Sequence, residues 1–295
     1  MKVRYYINRI ALILKEGKNY VRNSSFPVGH YYSPIVNLAE YKEALVYQVE
    51  TDALRNITFN ESEQLVLLDR FSVFKNEIPA WDGADGNRYR LDNGWYPSTD
   101  GIILYSMLRV FQPKQIIEVG SGYSSALMLD VNDRFQNHEI RFTFVEPNPD
   151  RLHLLLRDND CKHVRILEQG VQRVPLTDFA ALEENDVLLI DSSHVSKTGS
   201  DVNYLFFQVL PVLKPGVIIH LHDVFFPFEY PADWILSGRN WNEIYLLRAF
   251  LQNNNDYEIL FFTDFMKQTH GDLFAEKTGI KYPLNGSSIY LRKIH

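Results

Sequence analysis

From residue 115 onward, short apolar runs alternate with amphipathic stretches. The runs have the length of strands, are rich in β-branched and aromatic residues, and end at polar residues. We predict strands over Gln115–Val119, Ile140–Glu146, His163–Glu168, Asp186–Asp191, Val217–His222, Tyr257–Phe262 and Ser287–Leu291. Such alternation is typical of an α/β fold, with a mostly parallel, Rossmann-like sheet and helices on both of its faces.

The clearest helical stretch lies between the fourth and fifth predicted strands. Val202, Leu205, Phe206, Val209 and Leu210 fall on one helical face. A Pro-Gly pair follows and predicts the end of this helix before the next strand begins.

The first quarter of the chain has a different pattern. Residues 1–76 show helical stretches, including one from Glu61 to Phe74, and no recurrent strand signal. We therefore predict an N-terminal helical cap over residues 1–76 and a catalytic domain over residues 77–295. The face formed by Ile7, Ile10, Ala11 and Leu14 predicts a helix packed on that domain, and a basic interfacial helix is the alternative.

Composition and charge narrow the classes of partner. The 295 residues carry a net charge of −7, which argues against nucleic acid as a partner. The apolar run from Ile10 to Leu14 is too short for a membrane span or a signal peptide. A single cysteine, Cys161, cannot form an internal disulfide. We expect a cytoplasmic protein, and its many aromatic residues make a homodimer reasonable.

Polar residues of chemical interest follow four of the predicted strands. Glu118 closes the first strand, Glu146 the second and Asp191 the fourth, and His222 and Asp223 end the fifth. Ligands of parallel sheets bind at the carboxyl ends of the strands. We therefore expect these side chains to surround one ligand site.

The turn Gly120-Ser-Gly122 predicts the class of ligand. It can present backbone N–H groups to a nucleotide-like molecule with little side-chain obstruction. A dinucleotide fingerprint would have a third glycine where Ser125 stands. The carboxylate of Glu118 is unfavourable to a diphosphate but suits an ammonium group, and Glu146 can accept hydrogen bonds from ribose hydroxyls. This combination favours S-adenosylmethionine over NAD.

Three motifs resemble those of class I S-adenosylmethionine-dependent methyltransferases. They are Glu118-Val-Gly-Ser-Gly122, Glu146-Pro147 and Ile190-Asp-Ser-Ser-His194, and the resemblance covers roughly residues 95–295. It is closest to a bacterial branch associated with surface-glycan and natural-product gene clusters. The resemblance implies a seven-stranded sheet whose last strand runs antiparallel beside the fifth.

The resemblance also implies a set of cofactor-binding residues. Gly120, Ser121 and Gly122 would surround the methionine moiety, with Glu118 at its ammonium group, directly or through water. Gln172 would contact the adenine edge, although capping of the next helix is an equal alternative. The full predicted set is Glu118, Gly120, Ser121, Gly122, Tyr123, Ser124, Glu146, Gln172, Asp191 and Ser192.

The predicted catalytic residues are His194, Asp191 and Asp223. His194 has an unperturbed pKa near 6.5, which suits a general base at neutral pH. Asp191, His222 and Asp223 are the predicted ligands of a divalent metal such as Mg²⁺, whose presence the sequence leaves open. Structural roles remain as alternatives, with His194 capping the helix near Ser200 and Asp223 bonding loop amides.

We expect an O-methyltransferase acting on a sugar or another small hydroxylated acceptor. The aromatic segment from Phe225 to Trp241 would form part of the acceptor wall, and an oligomer contact is its competing role. Three alternatives remain open: N-methylation of an amino sugar, a nicotinamide-dependent oxidoreductase, and a non-catalytic cofactor-binding scaffold.

Overall fold

The computed structural model describes most of the chain. The described residues are 25–44, 54–84, 86–280 and 284–295. The predicted N-terminal apolar face at residues 7–14 lies outside them.

The chain divides into two compact units. The smaller comprises Met1–Glu50 and Ala232–Asn240, and the larger comprises Thr51–Pro231 and Trp241–His295. The predicted cap boundary at residue 76 stays a prediction.

The described residues contain seven strands. They are β1 (Gln115–Val119), β2 (Arg141–Val145), β3 (Val164–Leu167), β4 (Val187–Ile190), β5 (Ile218–His222), β6 (Tyr257–Phe262) and β7 (Ser288–Lys293). Each strand begins within one residue of its predicted start, and β7 ends two residues after its predicted end.

The helices lie before, between and after these strands. They are α1 (Leu38–Ala44), α2 (Glu61–Ser72), α3 (Ser98–Phe111), α4 (Tyr123–Phe135), α5 (Asp150–Leu155), α6 (Leu176–Ala180), α7 (Asp201–Tyr204), α8 (Leu210–Val212), α9 (Ala232–Leu236), α10 (Glu243–Leu251), α11 (Thr263–Thr269) and α12 (Gly271–Thr278). Short 3-10 turns occupy Leu91–Asn93, Asp158–Lys162 and Val171–Arg173.

All seven strands form one sheet in the order β3-β2-β1-β4-β5-β7-β6. The pairs from β3 to β5 are parallel, whereas β7 lies antiparallel between β5 and β6. The predicted fold class is thus confirmed, including the antiparallel seventh strand. Because the strand order reverses between β1 and β4, their carboxyl ends flank a crevice of the kind in which α/β proteins bind ligands.

Burial explains which runs form the middle of the sheet. Every residue of β4 and β5 is buried, as expected for strands covered on both faces. The edge strand β3 is only partly buried and carries an exposed Arg165. Runs that are buried along their whole length therefore lie in the centre of the sheet, and the partly exposed run lies at its edge.

The helix predicted over residues 202–210 forms, but it is not uniform. Between α7 and α8, Leu205–Val209 adopts a π-helical turn. Pro211 follows in α8 and has no N–H to donate to the carbonyl four residues earlier. The hydrogen-bonding pattern changes where the proline removes a donor.

The predicted helix at residues 61–74 is also present, as α2. Gln64 is fully buried and links this helix to the sheet, since its Oε1 accepts a hydrogen bond of 2.7 Å from the backbone N–H of Phe262. Its Nε2 donates to the carbonyl of Phe59. The buried amide of Gln64 thus satisfies one backbone N–H in β6 and one backbone carbonyl just before α2.

Candidate active site

The turn after β1 requires glycine at position 120. Gly120 has φ +86°, and a Cβ at this position would overlap the backbone carbonyl of Asp191. Its N–H donates to Val145 O across 3.0 Å. The loops after β1 and β4 thus approach as closely as their backbones allow, which any side chain would prevent.

Glu118 lies beneath this turn and is not exposed at all. The hydroxyl of Ser124 donates to its Oε1 at 2.5 Å, and that of Ser125 donates to its Oε2. Burial raises the pKa of Glu118 to about 8, although the serine hydroxyls act in the opposite direction. The carboxyl therefore supports the turn from within.

Glu146 lies at the end of β2 and is partly exposed. Its Oε2 accepts from the backbone N–H of Ser121 at 3.2 Å, and its Oε1 accepts from that of Asn148 at 2.7 Å. Ser125 in turn accepts a 2.9 Å hydrogen bond from the N–H of Gly122. These contacts fix both the Gly-Ser-Gly turn and the Glu146 carboxylate beside it.

A cavity of about 480 Å³ opens at this edge of the sheet. Its size is within the range of small-molecule and cofactor sites. Five predicted cofactor residues line it: Gly120, Glu146, Gln172, Asp191 and Ser192. Predicted residues 118 and 121–124 build the turn that borders it. The amide of Gln172 donates to Gly199 O at 3.0 Å, across the cavity rim.

His194 lies at the centre of a group of carboxylates. Its Nδ1 lies 2.8 Å from Glu243 Oε2, and its Nε2 lies 3.3 Å from Asp191 Oδ1 and 3.8 Å from Asp223 Oδ2. Burial lowers the pKa of His194, but the hydrogen bonds to Asp191 and Glu243 outweigh it and raise the pKa to about 10. The value near 6.5 expected from the sequence therefore does not apply to this ring.

His222 occupies the neighbouring position at the end of β5. Its Nδ1 lies 3.3 Å from Asp191 Oδ1, its Nε2 lies 3.3 Å from Asp100 Oδ2, and its ring stacks on Tyr96 at 4.8 Å. Burial lowers the pKa of His222, but Asp223 and Asp191 outweigh it and hold the pKa well above its usual value. Two histidines thus share Asp191, and each has a further carboxylate on its other nitrogen.

The two aspartates of this cluster differ electrostatically. Burial raises the pKa of Asp191, but His222 and His194 outweigh it and hold the pKa well below its usual range. For Asp223, burial dominates and raises the pKa. Asp191 is therefore the permanently charged member of the pair. The predicted residues Asp191, His194, His222 and Asp223 do converge.

One ligand atom from each of Asp191, His194 and Asp223 lies within 4.8 Å of the others. This spacing is compatible with a shared divalent cation. His222, the imidazole ligand predicted from the sequence, is equally near, with its Nδ1 3.3 Å from Asp191 Oδ1 and 3.6 Å from Asp223 Oδ2.

The structure does not show the helix-capping roles that were the alternatives for His194 and Gln172. Ser200, not His194, caps α7, because its hydroxyl accepts from Asn203 N at 3.2 Å. Gln172 bonds the Gly199 carbonyl rather than capping a helix. His220 is completely buried, and burial holds its pKa well below its usual value. It packs on Tyr290, with ring centroids 4.5 Å apart.

Sequence reasoning missed Asp100 and Glu243. Asp100 lies in the first turn of α3, where an acid is common for electrostatic reasons, and only the structure shows that it is fully buried. Glu243 lies in the first turn of α10, where an acid is common for electrostatic reasons. No feature of the neighbouring sequence distinguishes Glu243 from an acidic residue at the start of an ordinary helix.

The predicted aromatic segment falls in both units. In the larger unit, Trp241 packs on His194 with ring centroids 4.3 Å apart, and Tyr230 packs on Trp241 at 6.0 Å. In the smaller unit, Arg239 lies over the Trp234 ring at 4.2 Å. Among the described residues, no helix is long and apolar enough to cross a membrane.

The sequence of this chain is similar to a family model and to a protein of known sequence. Residues 117–224 match the family model described as a methyltransferase domain. An uncharacterised protein of Archaeoglobus fulgidus is 32% identical over 186 residues, which cover 59% of this chain and 82% of that protein.

Solved structures of methyltransferases are also similar at low identity. The O-methyltransferase TomG from Streptomyces achromogenes is 13% identical, with 88% of this chain and 97% of that chain covered and a TM-score of 0.44. The plantazolicin methyltransferase BpumL is 13% identical, with 81% and 100% covered and a TM-score of 0.45. Residues 117–224 of this chain therefore form a methyltransferase domain, and the chain belongs to the same family as the archaeal protein.

Proposed function

We propose that this enzyme methylates a hydroxyl group of a sugar or another small hydroxylated acceptor, with His194 as general base. One observation supports the proposal most directly. Asp191 lines the cavity of about 480 Å³ and also lies 3.3 Å from His194 and from His222. A single side chain thus joins the cofactor cavity to a cluster that can handle a proton.

In the proposed complex, the cavity holds S-adenosylmethionine. Glu146 would accept hydrogen bonds from the ribose, and Gln172 would contact the adenine edge. Glu118 has no exposed atom, so we propose that it supports the methionine moiety through the turn and not by direct contact.

The proposed chemistry is a displacement at the sulfonium methyl group. An acceptor oxygen forms the new C–O bond, the C–S bond breaks, and its electron pair neutralises the sulfur. The acceptor proton passes to Nε2 of His194, while Glu243 holds Nδ1. This arrangement resembles other pairs in which a buried carboxylate fixes the tautomer and orientation of a catalytic histidine.

A pKa of about 10 means that His194 holds a proton in the free cluster at neutral pH. A general base must lose that proton before it can accept another. The sulfonium of the cofactor is positive, and a positive charge beside Asp191 lowers the pKa of a nearby imidazole. We propose that cofactor binding releases the proton and so prepares the base.

The cluster fits a divalent cation as well. Asp191, Asp223 and an imidazole nitrogen would hold it, and a mixed donor set suits transition metals at least as well as Mg²⁺. When bound, such a cation would lower the pKa of a coordinated hydroxyl. Nε2 of His194 can act as the base only where His222 supplies the nitrogen ligand, because one nitrogen cannot both bind the cation and accept the proton.

The aromatic packing beside the base supports the proposed class of acceptor. Trp241 covers one face of His194, and aromatic rings with nearby charged groups suit sugar rings. A glycan or natural-product pathway would supply such an acceptor, in keeping with the sequence resemblance.

The test combines binding and turnover. Calorimetry should show tighter binding of S-adenosylmethionine than of NAD. A panel of sugars, nucleotide-linked sugars and amino sugars is then assayed for S-adenosylhomocysteine release and for the mass of the product. Methyl groups on oxygen support the proposal. Transfer only to amines, or no transfer to any acceptor, would contradict it.

A further inference from the structure

A second imidazole–carboxylate cluster lies at the end of the sheet opposite the cofactor cavity. Asp133 is in the last turn of α4, His138 is in the turn that follows, and His163 immediately precedes β3. We propose that these three residues bind a transition-metal ion of the Zn²⁺ type, at a site separate from methyl transfer.

The three side chains have metal-site spacing. One ligand atom from each lies within 4.8 Å of the others. Nδ1 of His138 lies 3.0 Å from Asp133 Oδ1, and the rings of His138 and His163 are 5.7 Å apart with an angle of 36° between them. A bound ion would need only small side-chain adjustments to reach ligand distances near 2 Å.

His163 supplies the independent observation. Its side chain is only 8% exposed, and its buried Nε2 has no hydrogen-bond partner. Asp160 Oδ1 lies 3.8 Å away, beyond hydrogen-bonding distance. A buried ring nitrogen without a partner is costly unless something binds it. Burial also lowers the pKa of His163, which favours the neutral ring that a metal requires.

The charges around the cluster favour a cation. The guanidinium of Arg88 is buried and binds Asp130, Asp133 and Asp160 at 2.9, 2.6 and 2.7 Å. Arg157 lies 3.8 Å from Asp133. Three carboxylates therefore face two guanidinium groups, which leaves an excess of negative charge next to two imidazoles.

The same contacts orient the proposed carboxylate ligand. Arg88 binds Oδ2 of Asp133 and leaves Oδ1 facing His138. Partners of this kind, bonded to the far side of a ligand, are typical of metal sites and raise their affinity.

The backbone holds the imidazoles in place. The N–H of His138 donates to Asn132 O at 3.2 Å, and the carbonyl of His163 accepts from Phe142 N at 2.8 Å. The ligands therefore come from α4, the turn before β2 and the start of β3. A metal would tie these three elements together.

Two nitrogen ligands and one carboxylate select a borderline metal over Mg²⁺ or Ca²⁺, which prefer oxygen ligands. His138 is 53% exposed, so water has access to a fourth position. Zn²⁺ with a His₂Asp set and one water fits this arrangement.

The test isolates this cluster from other zinc ligands. Cys161→Ser removes an exposed thiol, and Asp191→Asn with Asp223→Asn disables the catalytic cluster. In this background we expect calorimetry to show one Zn²⁺ per chain, with no comparable binding of Mg²⁺. Adding His138→Gln should weaken Zn²⁺ binding at least about tenfold.

The matched control is His153→Gln. His153 also pairs with a carboxylate, Glu168 at 3.1 Å, but belongs to no three-ligand group among the described residues. Its substitution should leave Zn²⁺ affinity unchanged. Co²⁺ absorption bands should appear in the background protein and disappear with His163→Gln. Absence of Zn²⁺ binding, or equal binding in the His138→Gln protein, would overturn the proposal.

Discussion

The two halves of the proposed active site, its methyl-donor side and its acceptor side, are supported in different ways. On the methyl-donor side, Glu118 is held by serines six and seven residues further along the chain. On the acceptor side, His194 is held by Glu243, 49 residues away, and His222 by Asp100, 122 residues away. The donor side is therefore built within one strand-turn-helix unit, whereas the acceptor side exists only once distant elements have packed.

This difference has a functional consequence. The glycine turn and the serines that hold Glu118 lie in one short segment of the chain. This turn can therefore persist while the residues that contact the acceptor are replaced. The histidines depend on α3 and α10, so changes in those helices should alter the base and leave the cofactor turn intact. The two halves should accordingly respond separately to substitution.

The largest expected effect belongs to His194. His194→Gln should reduce the rate of methyl transfer by roughly 10²–10⁴-fold, the usual contribution of a general base. Affinity for S-adenosylmethionine should not fall, and at neutral pH it should rise, because the variant has no imidazolium proton that must leave when the cofactor binds. Single-turnover rates and calorimetry measure the two quantities. A variant with a normal rate would remove His194 from the mechanism.

On the donor side, the largest loss of cofactor affinity is expected from substitution of Gly120. Gly120→Ala forces a Cβ against the Asp191 carbonyl at a positive φ, so we expect at least about a tenfold loss in cofactor affinity. Gly122→Ala is the matched control. A Cβ there would lie 3.5 Å from Arg151 Cδ, which is an ordinary contact. Equal losses in both variants would show that a side chain at either glycine of the turn reduces affinity, and that the close approach at residue 120 is not the cause.

A smaller but more specific effect is expected from Glu243→Gln. Glu243 raises the pKa of His194, so its neutralisation should lower that pKa from about 10. The rate should then reach half its maximum at a lower pH than in the wild type, while its maximum falls by about tenfold. Glu243→Asp should restore part of the original profile. An unshifted pH–rate profile would mean that Glu243 only helps the protein fold.

The last effect concerns stability on the donor side and not the rate of methyl transfer. Because burial raises the pKa of Glu118 from 4.5 to about 8, its contribution is fully present below pH 4.5 and is lost as the pH rises through 8. Glu118→Gln cannot ionise, so its free energy of unfolding should exceed that of the wild type by an amount that grows from pH 5 to 8. Urea denaturation should show this difference widening by about 5 kcal/mol between pH 4.5 and 8.5, the free energy that corresponds to a pKa raised from 4.5 to about 8. A constant difference across this range would contradict the shifted pKa.

The same contrast explains what the sequence could predict. The strands, the glycine turn and the acids at strand ends follow from local patterns, and the structure confirms the fold that they predict. The convergence of His194 with His222 also follows, because β4 and β5 are neighbours and their loops leave the sheet together. Sheet position and chain order are enough for these features.

The pKa of His194 could not be predicted in this way. It depends on Glu243, which reaches the site only because α10 packs against the loop after β4, with the N–H of Asn242 bonded to the carbonyl of His194 at 3.0 Å. The stack of His222 on Tyr96 and its contact with Asp100 likewise depend on α3 and the loop before it. Tertiary packing, not residue type, decides these properties.

The central claim is that the carboxylates around His194 hold a proton on this ring until the cofactor binds. NMR titration of ¹⁵N-labelled histidines, assigned with His194→Gln, tests it without knowledge of the acceptor. The account predicts a His194 pKa near 10 in the free protein and a lower value with S-adenosylmethionine bound. A pKa near 6.5 in the free protein, or one that the cofactor leaves unchanged, would contradict it.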